Sequence, residues 1–182
     1  MEKAMREILL SVNFKTIIWV IPVLLMLHEL EEWNILEWYD STFQSSSPAN
    51  KLGVRLWIVL VGIVGFMITA VACLFPEQRI TAIMIVLLAL VTITNGLQHI
   101  YWTIAFKKYA PGVIFATLGL AAGLFACITA LVQRIVPIYF ISLLGIPITY
   151  IMVQTIKAGN TLTKEINRVH KFSLKLEKLF LD

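Results

Sequence analysis

Three side chains able to trade protons or hold a metal, His28, Glu31 and Glu32, stand almost together in HELEEW, residues 28–33. In a helix, at about 100° per residue, Glu32 lies about 40° from His28 and Glu31 about 60° the other way. All three then share one face, with Glu29 at its edge and Glu37 roughly opposite. A second group follows in TNGLQHIYW, residues 94–102, where Asn95 and His99 are four apart and Gln98 and Trp102 stand beside them. Imidazole nitrogen with carboxylate oxygen suits zinc or non-haem iron, so His28, Glu32 and His99 are the predicted metal ligands. A metal-free version is also open: two adjacent buried acids cannot easily both ionise, so one could exchange protons near neutrality while Asn95 stabilises an oxyanion. The predicted catalytic residues are Glu31, Glu32 and Asn95. This is not HExxH, because position 32 is glutamate where the second histidine would stand. With His170 the chain has three histidines, too few for an eight-histidine di-iron hydroxylase.

The elements that must position these groups are membrane helices. Of 182 residues, 59% are hydrophobic and 14% charged, against about 45–50% and about 25% in a soluble domain. Apolar runs long enough to cross a core of about 30 Å recur along the chain, and none alternates like a barrel strand. The predicted fold is an all-α polytopic transmembrane bundle of five spans, 16–37, 55–75, 80–105, 113–133 and 135–156, forming one domain over 1–156. The first span depends on continuing TIIWVIPVLLML through HELEEW to residue 37. No secretory signal is expected in MEKAMREILLSVNFK, which mixes acids with bases. Cys73 and Cys127 fall inside spans and read as packing residues. Residues 38–54 read as a serine-rich loop with Pro48 and Gly53 as breakers.

Residues 157–182 form a basic tail. Leu162, Ile166, Val169, Phe172, Leu176 and Leu179 recur at three- and four-residue steps between lysines and arginines, which predicts an amphipathic helix lying on the membrane surface without a protein partner. Five spans put ten lysines and arginines on the tail's side and five on the other, which predicts a cytoplasmic tail in the cytoplasmic membrane. The net charge of +4 resides mostly in that tail and implies anionic lipid, not nucleic acid. Nothing in the pattern fixes an oligomeric state.

Span parity places the two polar groups at one depth. The first and third spans run in the same direction with their motifs in the C-terminal halves, and KKYAPGV emerges on that side, opening the fourth helix at Pro111-Gly112. A charge at membrane depth costs several kcal/mol unless it faces protein, water, a metal or a counter-charge, so this face must point into the bundle.

The chain resembles the family of integral-membrane proteins named for its HXXEE motif. The matching residues are His28, Glu31 and Glu32, then Asn95 and His99 as Asn-x-x-x-His, then Pro111-Gly112. What the resemblance implies is a suspected enzyme without a settled reaction. Paired glutamates, histidines and an asparagine on membrane helices are also similar to the ingredients of intramembrane CAAX prenyl proteases, in different order and spacing. Three classes stay open: a membrane enzyme acting on a lipid-like substrate, a structural or lipid-binding membrane protein, and a proton-coupled transporter. Interhelical hydrogen bonds average well under about 1 kcal/mol in membrane bundles, a poor return for burying so many polar groups, which favours the enzyme. The small size and lack of an inverted repeat disfavour transport.

Overall fold

The computed structural model describes residues 2–181, and for residues 2, 3, 5, 16, 17 and 181 the backbone alone. The described chain is helical: α1 (Glu2–Ser11), α2 (Phe14–Ile17), α3 (Val20–Glu31), α4 (Ile35–Thr42), α5 (Lys51–Leu74), α6 (Gln78–Phe106), α7 (Val113–Val132), α8 (Ile138–Ala158) and α9 (Lys164–Leu181). Four of these, α5 to α8, are each long and apolar enough to cross a membrane.

The first predicted span differs. Pro22 has no N–H to give the Ile18 carbonyl, and the ladder is interrupted at Ile18 and Trp19 between α2 and α3. The twelve residues of α3 rise only about 18 Å. The whole stretch from Phe14 to Glu31 nevertheless runs antiparallel beside α7 from end to end. Gln133, just beyond α7, donates to the carbonyls of Leu9 and Val12, while Glu31 meets the first turn of α7. The stretch read from the sequence as the first span is therefore a broken helix.

Nor does that helix continue to residue 37. It stops at Glu31, where Trp33 N bonds Leu30 O and Ile35 N bonds Glu32 O, both three residues back, and the chain turns before α4 begins. The turn lets Ile35, Trp38 and Tyr39 bury against Trp102 of α6 rather than project beyond the bundle. The predicted loop over 38–54 shortens accordingly. Asn50 caps α5, its side chain accepting from Gly53 N at 2.8 Å.

The centre of the bundle is a close α6–α7 seam of small residues. Gly96 faces Ala116 and Leu120, and Gly119 and Gly123, four apart, face Thr92 and Ile93, so the two backbones approach closely. Cys127 is buried in this packing and both cysteines are free, as their places in the spans suggested. By contrast α8 has only Thr155 fully buried, and Ile138, Leu143, Ile146 and Tyr150 face outward, as suits lipid.

The tail helix departs from expectation. Where a helix without a protein partner was expected, α9 packs on α5, with His170 and Ser173 buried between them. A Cβ at Gly53 would stand 3.0 Å from the Ser173 carbonyl, which shows how near α9 comes. Asn50 donates to Glu177 at 2.5 Å and Trp57 meets Phe172 edge-on, so the contact runs along the helix. The buried face comprises Leu162, Thr163, His170 and Ser173, so only the start of the predicted apolar stripe is buried, and Phe172 and Leu179 are exposed.

Candidate metal centre and its cavity

The last turn of α3 presents His28, 3% exposed, to the turn that opens α7. His28 Nδ1 lies 3.0 Å from the Gly112 carbonyl. A carbonyl only accepts, so Nδ1 carries the proton and the lone pair of His28 is on Nε2. Gly112 has φ +93, and a Cβ there would stand 2.7 Å from His28 Cε1 and 3.0 Å from Glu32 Cγ. Only glycine fits this combination of left-handed backbone and closeness to the ring. Pro111-Gly112 is thus a wall of the site as well as a helix start.

One turn after His28, Glu32 places an oxygen 3.9 Å from His28 Nε2 and 2.9 Å from His99 Nε2. The two imidazoles meet edge to face at 4.9 Å, and Trp102 closes on the far side of His99 at 5.1 Å. One ligand atom from each of His28, Glu32 and His99 lies within 4.8 Å of the other two. Two buried imidazole nitrogens and one oxygen of the partly buried Glu32 converge, which matches a three-ligand zinc or ferrous site with an open position. The hydrogen bond from His28 to a backbone carbonyl is the kind of contact that orients a metal-binding imidazole. His99 Nδ1, by contrast, is buried without a hydrogen-bond partner among the described residues. Leaving a buried polar atom unpaired costs about 1–3 kcal/mol.

The two flanking glutamates exchange the places their helical angles suggested. Glu31 turns towards α7, accepting from Phe115 N at 3.0 Å, from Ile114 N at 3.3 Å and from the Tyr109 hydroxyl. It caps a helix N-terminus, where carboxylates are favoured, and it does not line the cavity. Burial, then the hydrogen bond to Glu31, pushes the Tyr109 phenol up to about 12. Glu29 instead lines the cavity and is 5% exposed.

The cavity beneath these groups holds about 380 Å³, within the usual size of small-molecule sites. Asn95 and Gln98 lie on its wall, and Gln98 also donates to Thr155 of α8 at 2.7 Å. The structure therefore brings His28, Glu32, Asn95 and His99 to one space and leaves Glu31 outside it. The tail supplies the cover: Thr163, Glu165, Ile166, Val169, His170 and Ser173 all face this space. His170 Nδ1 is 2.6 Å from the Ser47 hydroxyl, with the Tyr39 ring beside it. Burial holds its imidazole down to about 4, against an upward pull from Glu32. Glu29, His170 and the aromatic floor were not singled out as site residues from the sequence. The signal was present for His170: Thr163, Ile166, His170 and Ser173 step by three, four and three, a helical stripe adjoining the greasier one.

A family model described as a protein of unknown function with HXXEE motif matches residues 19–126, more than half of the chain. The chain belongs to the HXXEE family. No curated protein and no solved structure matches it. In this HXXEE protein the motif's histidine and second glutamate meet at the cavity, while the first glutamate ties α3 to the start of α7. Thus the adjacent glutamates do different work. One faces the buried histidines, and the other fixes the turn whose carbonyl orients His28. The position of Glu29 is one that the motif leaves open, and α8 and α9 lie beyond the matched segment.

Proposed function

We propose that this HXXEE protein is a small integral-membrane metalloenzyme acting on an amphipathic, membrane-borne substrate. The observation that carries the reading is the buried convergence of His28, Glu32 and His99 on a cavity of substrate size, with His28 held in one tautomer by Gly112. His28 Nε2, His99 and a Glu32 oxygen would hold one zinc or ferrous ion, which when bound supplies Lewis acidity and lowers the pKa of a bound water. Glu32 can also exchange a proton with His99 across their 2.9 Å contact. Asn95, on the same wall, offers an amide donor to an oxyanion. The aromatic floor of Tyr39 and Trp102 and the cover of α9 exclude bulk water, which strengthens each of these interactions. Apolar helix surface surrounds the cavity and the described chain has no separate polar domain, which supports delivery of substrate from the bilayer. The excess of lysine and arginine on the tail's side supports a tail facing the cytoplasm.

The reading is tested with Glu32→Gln, a nearly isosteric change. Turnover of a membrane-extract substrate should be abolished while the melting temperature changes little. Loss of the fold with retained activity in the surviving fraction would make Glu32 a structural carboxylate and refute the proposal.

A further inference from the structure

We infer that the cavity takes an amphiphile with a cationic, ammonium-type head, received by Glu29 and Glu165. The inference rests on the cavity being a substrate site and adds the class of headgroup.

Glu29 is the central observation. It is 5% exposed and lines the cavity, and among the described residues no hydrogen bond or ion pair reaches its carboxylate. A buried carboxylate without a partner is costly, and the space it faces is where a partner would come from. Glu165, on the covering helix, faces the same space from the other side. With Glu32 that makes three glutamates on the wall.

Among the described residues no lysine or arginine lines this cavity, although the chain carries 15. Those nearby are occupied elsewhere: Lys51 pairs with Glu37 at 2.7 Å, Arg55 donates to Asn34 and lies over the Trp33 ring, and Lys108 donates to Ser41. A site for a phosphate or a free carboxylate would need donors of that kind. Trp57 and Trp102 also face the space, and aromatic faces attract ammonium groups.

Neither Glu29 nor Glu165 is one of the family's motif residues. The motif leaves the residue at Glu29 open, and Glu165 lies beyond the matched segment. His28 and Glu32, which belong to the motif, would act on whatever Glu29 and Glu165 admit.

The test uses the full chain purified in a neutral maltoside detergent, with dodecylammonium, dodecanol and dodecyl phosphate as probes of equal chain length. Dodecylammonium should raise the melting temperature and the other two should not. Glu29→Gln should weaken its apparent affinity about tenfold, the effect of removing one charge partner from a sheltered site, and Glu165→Gln about threefold. If Glu29→Gln fails to fold, Glu165→Gln alone decides. Equal stabilisation by the alcohol or the phosphate, or unchanged dodecylammonium binding in the variants, overturns the inference. Metal content measured in the same samples separates the two ideas. Bound metal with no response to dodecylammonium defeats the headgroup assignment alone, whereas a selective ammonium response in protein that never holds metal defeats the metalloenzyme reading alone.

Discussion

At one end of the bundle a space of about 680 Å³ is bordered by Arg79, Arg134 and mostly apolar side chains, with no acid on its wall among the described residues, whereas the space at the α4–α9 end is smaller, about 380 Å³, and holds three glutamates and three histidines. Both arginines are exposed, while His28, Glu29, His99 and His170 are each at least nine-tenths buried. Volume alone would favour the wrong end. Cationic side chains that remain in solvent cost the fold little and need only lipid headgroups to explain them. Ionisable groups taken out of water must be compensated, so their burial calls for an explanation that the exposed arginines do not.

The strongest challenge to that contrast is Gly112→Ala. The left-handed φ of +93 and the 2.7 Å approach to His28 leave no place for a methyl group. The change should cost about 3 kcal/mol or more and disturb His28 together with the fold. Gly145→Ala in α8, where nothing lies within 4 Å of the added methyl, should be neutral or stabilising by about 0.5–1 kcal/mol. Thermal unfolding in one detergent compares the two, and equal losses would show that the Gly112 wall is not under special constraint.

Next in size is Glu31→Gln, which keeps the shape of the α7 cap but removes its charge. A loss of about 1 kcal/mol in stability with full retention of bound metal is expected, since Glu31 serves the helix end and not the cavity. Metal loss without destabilisation would return Glu31 to the site.

An effect confined to the cover comes from pH. With its folded value held down to about 4, below the ordinary 6.5, His170 favours docking of α9 while it is neutral. That contribution is complete above pH 6.5 and is lost as pH falls from 6.5 through 4, because the undocked tail takes up the proton first. Tyr39, Ser47 and Glu32 are the groups that face it, and Glu32 opposes the loss by favouring the imidazolium. Amide exchange in α9 should therefore be about tenfold faster relative to α6 at pH 5 than at pH 7, and His170→Gln should flatten that difference. The smallest expected effect is that of Arg79→Gln with Arg134→Gln, which should leave metal content and ammonium binding unchanged.

Much of this was legible in the sequence because membrane solvent makes helices obligatory and parity fixes depth. His28 and His99 could be assigned to one level of the bundle before any packing was known. What could not be read was rotation. Angles measured round an ideal helix put Glu31 and Glu32 on one face, but the space opens between the directions of Glu32 and Glu29, and α7 occupies the other flank. The turn at residues 32–34 was hidden for a similar reason: apolar composition continues through ILEW, and only burial of Trp38 and Tyr39 against Trp102 makes the change of direction worthwhile. For the tail, the greasier stripe containing Phe172 and Leu179 pointed to lipid, while the face with His170 and Ser173 found α5. Hydrophobic periodicity identifies amphipathic helices, but it does not distinguish a bilayer from a neighbouring helix as the partner.

The central claim, that the buried pair of imidazoles and Glu32 form a metal centre, is tested most directly by elemental analysis of the full chain purified without chelators. The account predicts about one equivalent of zinc or iron per chain, lost in His28→Ala and in His99→Gln and retained in the double Arg79→Gln, Arg134→Gln protein. A parent chain that holds no metal after supplementation with either ion, and whose melting temperature is indifferent to both, would contradict it.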